Sequence, residues 1–174
     1  MARKTARRVL LAALALGATP GAATTVMEEM RVAGWIERVR LGEEGVVLSA
    51  KLDTGADNSS LHAPDVRWFT RDGSHWVAFE VTGEDGRKVH FERRVIRITE
   101  IKSRRGGKAH ERPTVLMGVC LGRAYRITEV NLADRTRFKQ PFLVGRSFLA
   151  NNQILVNSEI TNTVEPDCAK LKLR

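Results

Sequence analysis

Apolar and polar residues alternate along most of the chain in short runs with a two-residue period, the spacing of strands with one face buried. Gly34–Leu41 alternates in this way, and Val46–Leu52 follows after the turn Gly42-Glu43-Glu44-Gly45. Trp76–Val81 alternates again, and the Asp85-Gly86 pair behind it predicts a hairpin turn. The returning strand carries Val89, Phe91, Val95, Ile96 and Ile98, with a bend expected near Arg93-Arg94. Pro113–Leu121 and Tyr125–Leu132 predict a second hairpin across Gly122-Arg123. Phe142–Val144 is a short buried strand and Gln153–Val156 the last one. Single helical turns are expected only at Arg146–Ala150 and around Ser60, and Ser103–Lys108 reads as a glycine-rich basic loop. Strands so spaced, with no helices between them, predict an all-β sandwich or barrel.

The first 23 residues follow a different pattern. Arg3, Lys4, Arg7 and Arg8 precede the apolar stretch Val9–Ala18, and Thr19-Pro20-Gly21-Ala22-Ala23 ends it in small residues. About ten apolar residues fall short of the ~20 that cross a bilayer as a helix. Residues 1–23 are therefore expected to be a secretory signal peptide cleaved near Ala23, the alternative being a retained anchor. The mature protein is expected in the periplasm or secreted, with no stable membrane insertion. Residues 24–33 are expected to form a flexible lead, 34–160 one domain and 161–174 a tail.

Removing the leader changes the charge balance. The chain has 29 basic and 20 acidic residues and a net charge of +9; without the four leader cations 25 basic residues remain, a net charge of +5. That is a modestly basic domain. Its Arg/Lys runs lack interleaved aromatics, so nucleic acid is not an expected partner. Export would allow Cys120 and Cys168 to form a disulfide; the alternative is a buried Cys120 beside a free Cys168 on the tail.

The chemistry concentrates at Leu52-Asp53-Thr54-Gly55-Ala56. An apolar strand delivers a carboxylate into a turn, Thr54 offers a hydroxyl to nearby backbone, and Gly55 allows a turn that other residues make at a cost. Ninety residues later comes Phe142-Leu143-Val144-Gly145-Arg146. Together the two segments resemble the retropepsin-like aspartic peptidases, in which a later apolar strand threads beside the D-T-G loop with its glycine packed beneath. The Gly-Arg pair after apolar residues is also a feature of retroviral proteases. The likeness is greatest to a bacterial branch often labelled "ATP-dependent zinc protease", some of whose members are linked with ATP-grasp glutamate ligases. It rests on Lys51–Ala56, Ser59-Ser60-Leu61-His62-Ala63, Arg112-Pro113, Cys120-Leu121-Gly122, Asn131–Arg135 and Val144-Gly145-Arg146. The Asp57-Asn58 pair departs from the usual pattern of the branch.

The resemblance implies an all-β, retropepsin-like closed barrel with one or two short helical turns. It implies a peptidase whose water is held by paired Asp53 carboxylates, with Asp53, Thr54 and Gly55 as the catalytic loop. One D-T-G in a chain of this length cannot supply both carboxylates, so the second is expected from a homodimer partner, with Thr54 bracing the two loops. Ala56, Asp57, His62, Gly145 and Arg146 are expected to bind substrate or support the loop, with Asp57 and Asn58 capping the turn. Arg135, Arg137, Lys139 and Arg146 form either a solvated basic face or a cleft for an acidic, glutamate-rich peptide. No cofactor is expected. The scattered His62, His75, His90 and His110 give no zinc motif, and Arg105–Lys108 is too short for a phosphate loop. The alternatives to an aspartic peptidase are a non-catalytic binding module of the cell envelope and the zinc peptidase of the label.

Overall fold

The computed structural model describes residues 30–101 and 110–168. The expected leader, most of the lead segment, the basic loop Ser103–Lys108 and the last six residues lie outside that range. Ten strands and one short helix are described: β1 (Arg31–Leu41), β2 (Val46–Asp53), β3 (Ser59–His62), β4 (Arg67–Arg71), β5 (Ser74–Thr82), β6 (Lys88–Ile101), β7 (His110–Leu121), β8 (Ala124–Ala133), β9 (Phe142–Gly145), α1 (Arg146–Asn151) and β10 (Ile154–Thr161).

Six strands close a barrel in the order β1-β2-β9-β3-β8-β7, with β7 returning to β1 through Val39–Leu121 and Leu41–Val119. The two-residue period builds it. In β2, Val46, Leu48, Ala50 and Leu52 are buried while Val47, Ser49, Lys51 and Asp53 face the other way. Leu41, Leu61, Met117, Val130, Phe142 and Phe148 complete the core. Removing any one of these side chains would cost about 2–5 kcal/mol in lost burial and cavity. β10 lies parallel to β1 at one edge. On the other side β6, β5 and β4 continue from β7 as a three-stranded lobe, with Phe79 stacked on Phe91.

The all-β expectation holds. β6 passes from pairing with β5 at Arg94 to pairing with β7 at Val95, next to the expected bend, and its register slips between Val95 and Arg97. Three expectations need correction. The stretch around Ser60 is strand β3, because it lies between β8 and β9 and takes its partners from distant sequence. β4 was not expected; as a mostly exposed edge strand it shows no alternation, and its turn to β5 is the Asp72-Gly73 pair with φ of 49° and 69°. β10 runs on to Thr161, past Val156, supported by β1 where its own sequence turns polar.

Cys120 and Cys168 form a disulfide with a Cα–Cα distance of 6.0 Å. It fastens the chain after β10 to the end of β7. Arg40 Nη2 donates to the Cys168 carbonyl at 2.6 Å. The fully buried Glu37 carboxylate accepts from the backbone of Gly34, Thr163 and Val164 and from the Thr163 hydroxyl.

Candidate active site

Asp53 is the last residue of β2, on the face turned away from the core. Its side chain is 28% exposed. Oδ1 accepts the Gly55 N–H at 3.0 Å, Lys51 Nζ lies 3.5 Å from Oδ2, and the Asp53 carbonyl accepts from Ala56 N at 3.3 Å. The carboxylate is thus held by its own turn and by a cation two residues back on the same strand face. The turn differs from expectation in two details. Gly55 is not in the left-handed region; a Cβ there would sit 3.3 Å from Asp53 Oδ1, so glycine gives that oxygen room. The Thr54 hydroxyl bonds to no described residue, and it is the Thr54 carbonyl that accepts, from Arg146 Nη1 at 3.3 Å.

β9 lies parallel to β2 with Gly145 opposite Asp53. Gly145 N donates to Ser59 Oγ at 3.1 Å, and a Cβ on Gly145 would lie 2.4 Å from the Asn58 carbonyl carbon. Only glycine lets the two segments approach so closely. The first turn of α1 then ties the loop from outside. Arg146 N donates to the Ala56 carbonyl at 2.7 Å and Ser147 N to the Asp57 carbonyl at 3.0 Å. The Arg146 guanidinium pairs with Asp57, and the Ser147 hydroxyl donates to the Asp57 carbonyl. Asp57 is therefore anchored to α1 through both side chain and backbone, and Arg146 spans the loop from Thr54 to Asp57.

The register extends the face that carries Asp53. Lys51 is opposite Leu143, Leu143 opposite Ser60, Ser60 opposite Asn131, and Asn131 opposite Thr114. Cross-strand partners point the same way, so this row crosses five strands beside the carboxylate. Thr114 Oγ1 donates to Asn131 Oδ1 at 2.6 Å. Arg112 lies two residues before Thr114 and shares its face.

The loop after β8 closes this side. His62 Nδ1 accepts the Arg135 N–H at 2.9 Å, which places the imidazole hydrogen on Nε2. His62 therefore shapes the loop, and it also borders a groove of about 670 Å³ with Arg67, Phe79, Lys88 and His90. Asp134 accepts from the Thr136 hydroxyl and backbone, which hold its carboxyl below the usual range; Arg137 adds to this. The basic cluster divides. Arg137 and Lys139 are exposed and Arg146 is tied to the loop, while Arg135 is 7% exposed. Burial lowers the Arg135 pKa, Arg112 lowers it further, and Asp53 raises it, so the three charges share one neighbourhood.

The structure thus brings Asp53, Thr54, Gly55, Ala56, Asp57, Gly145 and Arg146 into one braced loop and sets His62 behind the adjoining loop. The sequence reading held Lys51, Ser59 and Asn131 within its matching segments but gave them no role, and it did not single out Ser147 or Thr114. Lys51 was visible as a partner at i−2 on the same strand face; the others come together through pairings across the barrel. Among the described residues no three His, Cys, Asp or Glu side chains are gathered for a metal ion.

Comparison with known proteins agrees with this geometry. The crystal structure of a Legionella pneumophila protein of unknown function superposes with a TM-score of 0.65 at 32% identity, covering 78% of this chain and 98% of that one. Proteins of Shewanella pealeana and Shewanella halifaxensis, each named "Probable alpha-L-glutamate ligase", are 31% and 32% identical over 115 residues. Those matches cover 64% of this chain and 25% of each relative, so the chain spans about a quarter of the ligases' length. The family model described as retropepsin-like aspartic endopeptidase RimB matches residues 32–165. With a six-stranded barrel holding Asp53 beside Gly145, the chain belongs to this RimB-like family of retropepsin-like proteins.

Proposed function

We propose that the chain is an exported, homodimeric aspartic peptidase that cleaves acidic, glutamate-rich peptides. The carrying observation is the Asp53 loop: an accessible carboxylate fixed by Gly55 N–H and Lys51, in a turn braced by Gly145 and Arg146. A binding module gains nothing from so firmly held an acid. In the proposed dimer two Asp53 carboxyls meet across a two-fold axis and hold one water between them. Two adjacent carboxylates do not both ionise readily, so the pair shares a proton. The ionised member takes a proton from the water as it attacks the scissile carbonyl, and the protonated member donates to the forming tetrahedral oxygen. Breakdown of that intermediate returns a proton to the departing amine. The preference for acidic peptides draws on the cations around Asp53 and on the glutamate in the relatives' names. The ligase activity of those longer proteins is not carried over.

The test is a peptide-cleavage assay with the wild type and Asp53→Asn. The amide keeps the shape of the loop but can neither accept nor share the proton, so cleavage should fall at least ~10²–10⁴-fold with the melting temperature nearly unchanged. Wild-type cleavage should be greatest at acidic pH and persist in EDTA, since no step uses a metal. Undiminished cleavage by Asp53→Asn would end the assignment. A wild type that binds acidic peptides but cleaves none would favour the binding module. Export is tested by N-terminal sequencing of envelope protein, which should begin near Thr24.

A further inference from the structure

We propose that Arg135, supported by Arg112, is the specificity determinant of the cleft: a subsite for a carboxylate side chain of the peptide beside Asp53. The inference rests on the peptidase reading in placing a peptide there. Its own basis is a buried cation with no anionic partner. At 7% exposure Arg135 has no carboxylate within ion-pair distance among the described residues, and buried charges are ordinarily paired. Its polar contacts are weak: Nε and Nη2 both reach the Gln140 carbonyl at 3.4 Å. Phe138 lies under the guanidinium, 4.6 Å from ring centre to Cζ.

Among the described residues no fully buried side-chain polar atom lacks a hydrogen bond. Arg135 Nη1 makes none, so it is the end of the fork that meets solvent. The charges that act on this guanidinium are Arg112, which opposes it, and Asp53, which favours it. Arg135 sits in the loop that His62 of β3 ties down, and β3 joins through β9 to β2, the strand that ends on Asp53. The other cations near the loop are already engaged, Lys51 with Asp53 and Arg146 with Asp57. A planar fork of this kind binds a carboxylate through two parallel hydrogen bonds. A singly charged side chain suits the place better than a phosphate dianion, which Asp53 would repel more strongly.

The experiment measures binding, so it does not depend on turnover. Full-length Asp53→Asn protein is titrated with fluorescein-labelled hexaglutamate, hexaglutamine and a phosphoserine-containing hexapeptide at low and high salt. Hexaglutamate should bind about tenfold more tightly than hexaglutamine, a gap that narrows with salt. Adding Arg135→Gln should bring the ratio close to one, Arg112→Gln should lower it part of the way, and Arg135→Lys should restore only part. Melting curves identify variants that do not fold; if Arg135→Gln is one, Arg112→Gln carries the test. Equal binding of the two peptides, or an unchanged ratio in folded Arg135→Gln and Arg112→Gln, overturns the subsite. Tighter binding of the phosphoserine peptide overturns its assignment to carboxylate. Wild-type cleavage separates the two readings. Cleavage without preference removes the subsite alone. Preference without cleavage removes the peptidase reading and supports the subsite.

Discussion

Gly145 and Asp134 show how single positions set the geometry of the site. Gly145 lies against the backbone of Asn58, so an added methyl meets main-chain atoms that cannot turn aside. Gly145→Ala should therefore cost at least ~1–3 kcal/mol and lower the melting temperature, with a further loss of activity as the Asp53 loop shifts. An unchanged melting curve would mean that the two segments are looser than described. Asp134 does its work through ionisation. Its carboxylate accepts two bonds from Thr136, so its pKa in the folded state lies below the ordinary ~3.9. A lowered pKa contributes stability above the unfolded value, and this is lost as pH falls through the folded one. The turn that presents Arg135 should thus stay intact at the mildly acidic pH favoured by a shared-proton pair. An NMR titration should place Asp134 below the ordinary carboxylate range, and Thr136→Ala should move it up. A titration midpoint unmoved by that substitution would remove Thr136 as the cause.

At the scale of elements, β2 and β3 mark the border of what the sequence reveals. β2 alternates over eight residues and ends on Asp53, so strand, face and carboxylate could be read together. β3 carries Ser59, Ser60 and His62, a polar stretch with no strand signal of its own; β8 and β9 make it a strand. The Asp53 loop and its glycine partner were legible because each is a local motif. The row from Lys51 to Thr114 was not, because its order depends on the register of five strands drawn from across the chain. The chain end was open for a similar reason: two cysteines fix neither distance nor direction. Its attachment is now concrete, with the disulfide on β7 and the Glu37 carboxylate holding Thr163 and Val164. Closing a loop between residues 48 apart in sequence is worth about 4 kcal/mol in the chain-entropy model. Cys168→Ser should lower stability by a large part of that and raise hydrogen exchange around Thr163 and Val164. A full-sized loss with unchanged exchange there would place the effect in the unfolded chain alone.

For the whole molecule the proposed mechanism turns on how one D-T-G loop per chain would meet a second carboxylate. Asp53 is partly accessible and Thr54 is exposed, with its hydroxyl bonded to no described residue. Within one chain that threonine has no visible task. In a two-fold dimer it would lie at the axis, where each hydroxyl can bond the opposite loop, and symmetry applies each contact twice. Thr54→Ala should then leave the fold of the single chain intact while weakening association. A neutral hydrogen bond contributes about 0.5–1.5 kcal/mol, so losing a symmetric pair should raise the dimer dissociation constant by about tenfold or more. The measurement is sedimentation velocity across a dilution series, run beside cleavage per mole of chain. Wild-type activity should fall on dilution as dimers separate, and the Thr54→Ala curve should shift to higher concentration while full activity returns at saturation. Activity independent of concentration, in a chain that sediments as a monomer, would rule out the shared site and require the second proton carrier to come from within the same barrel.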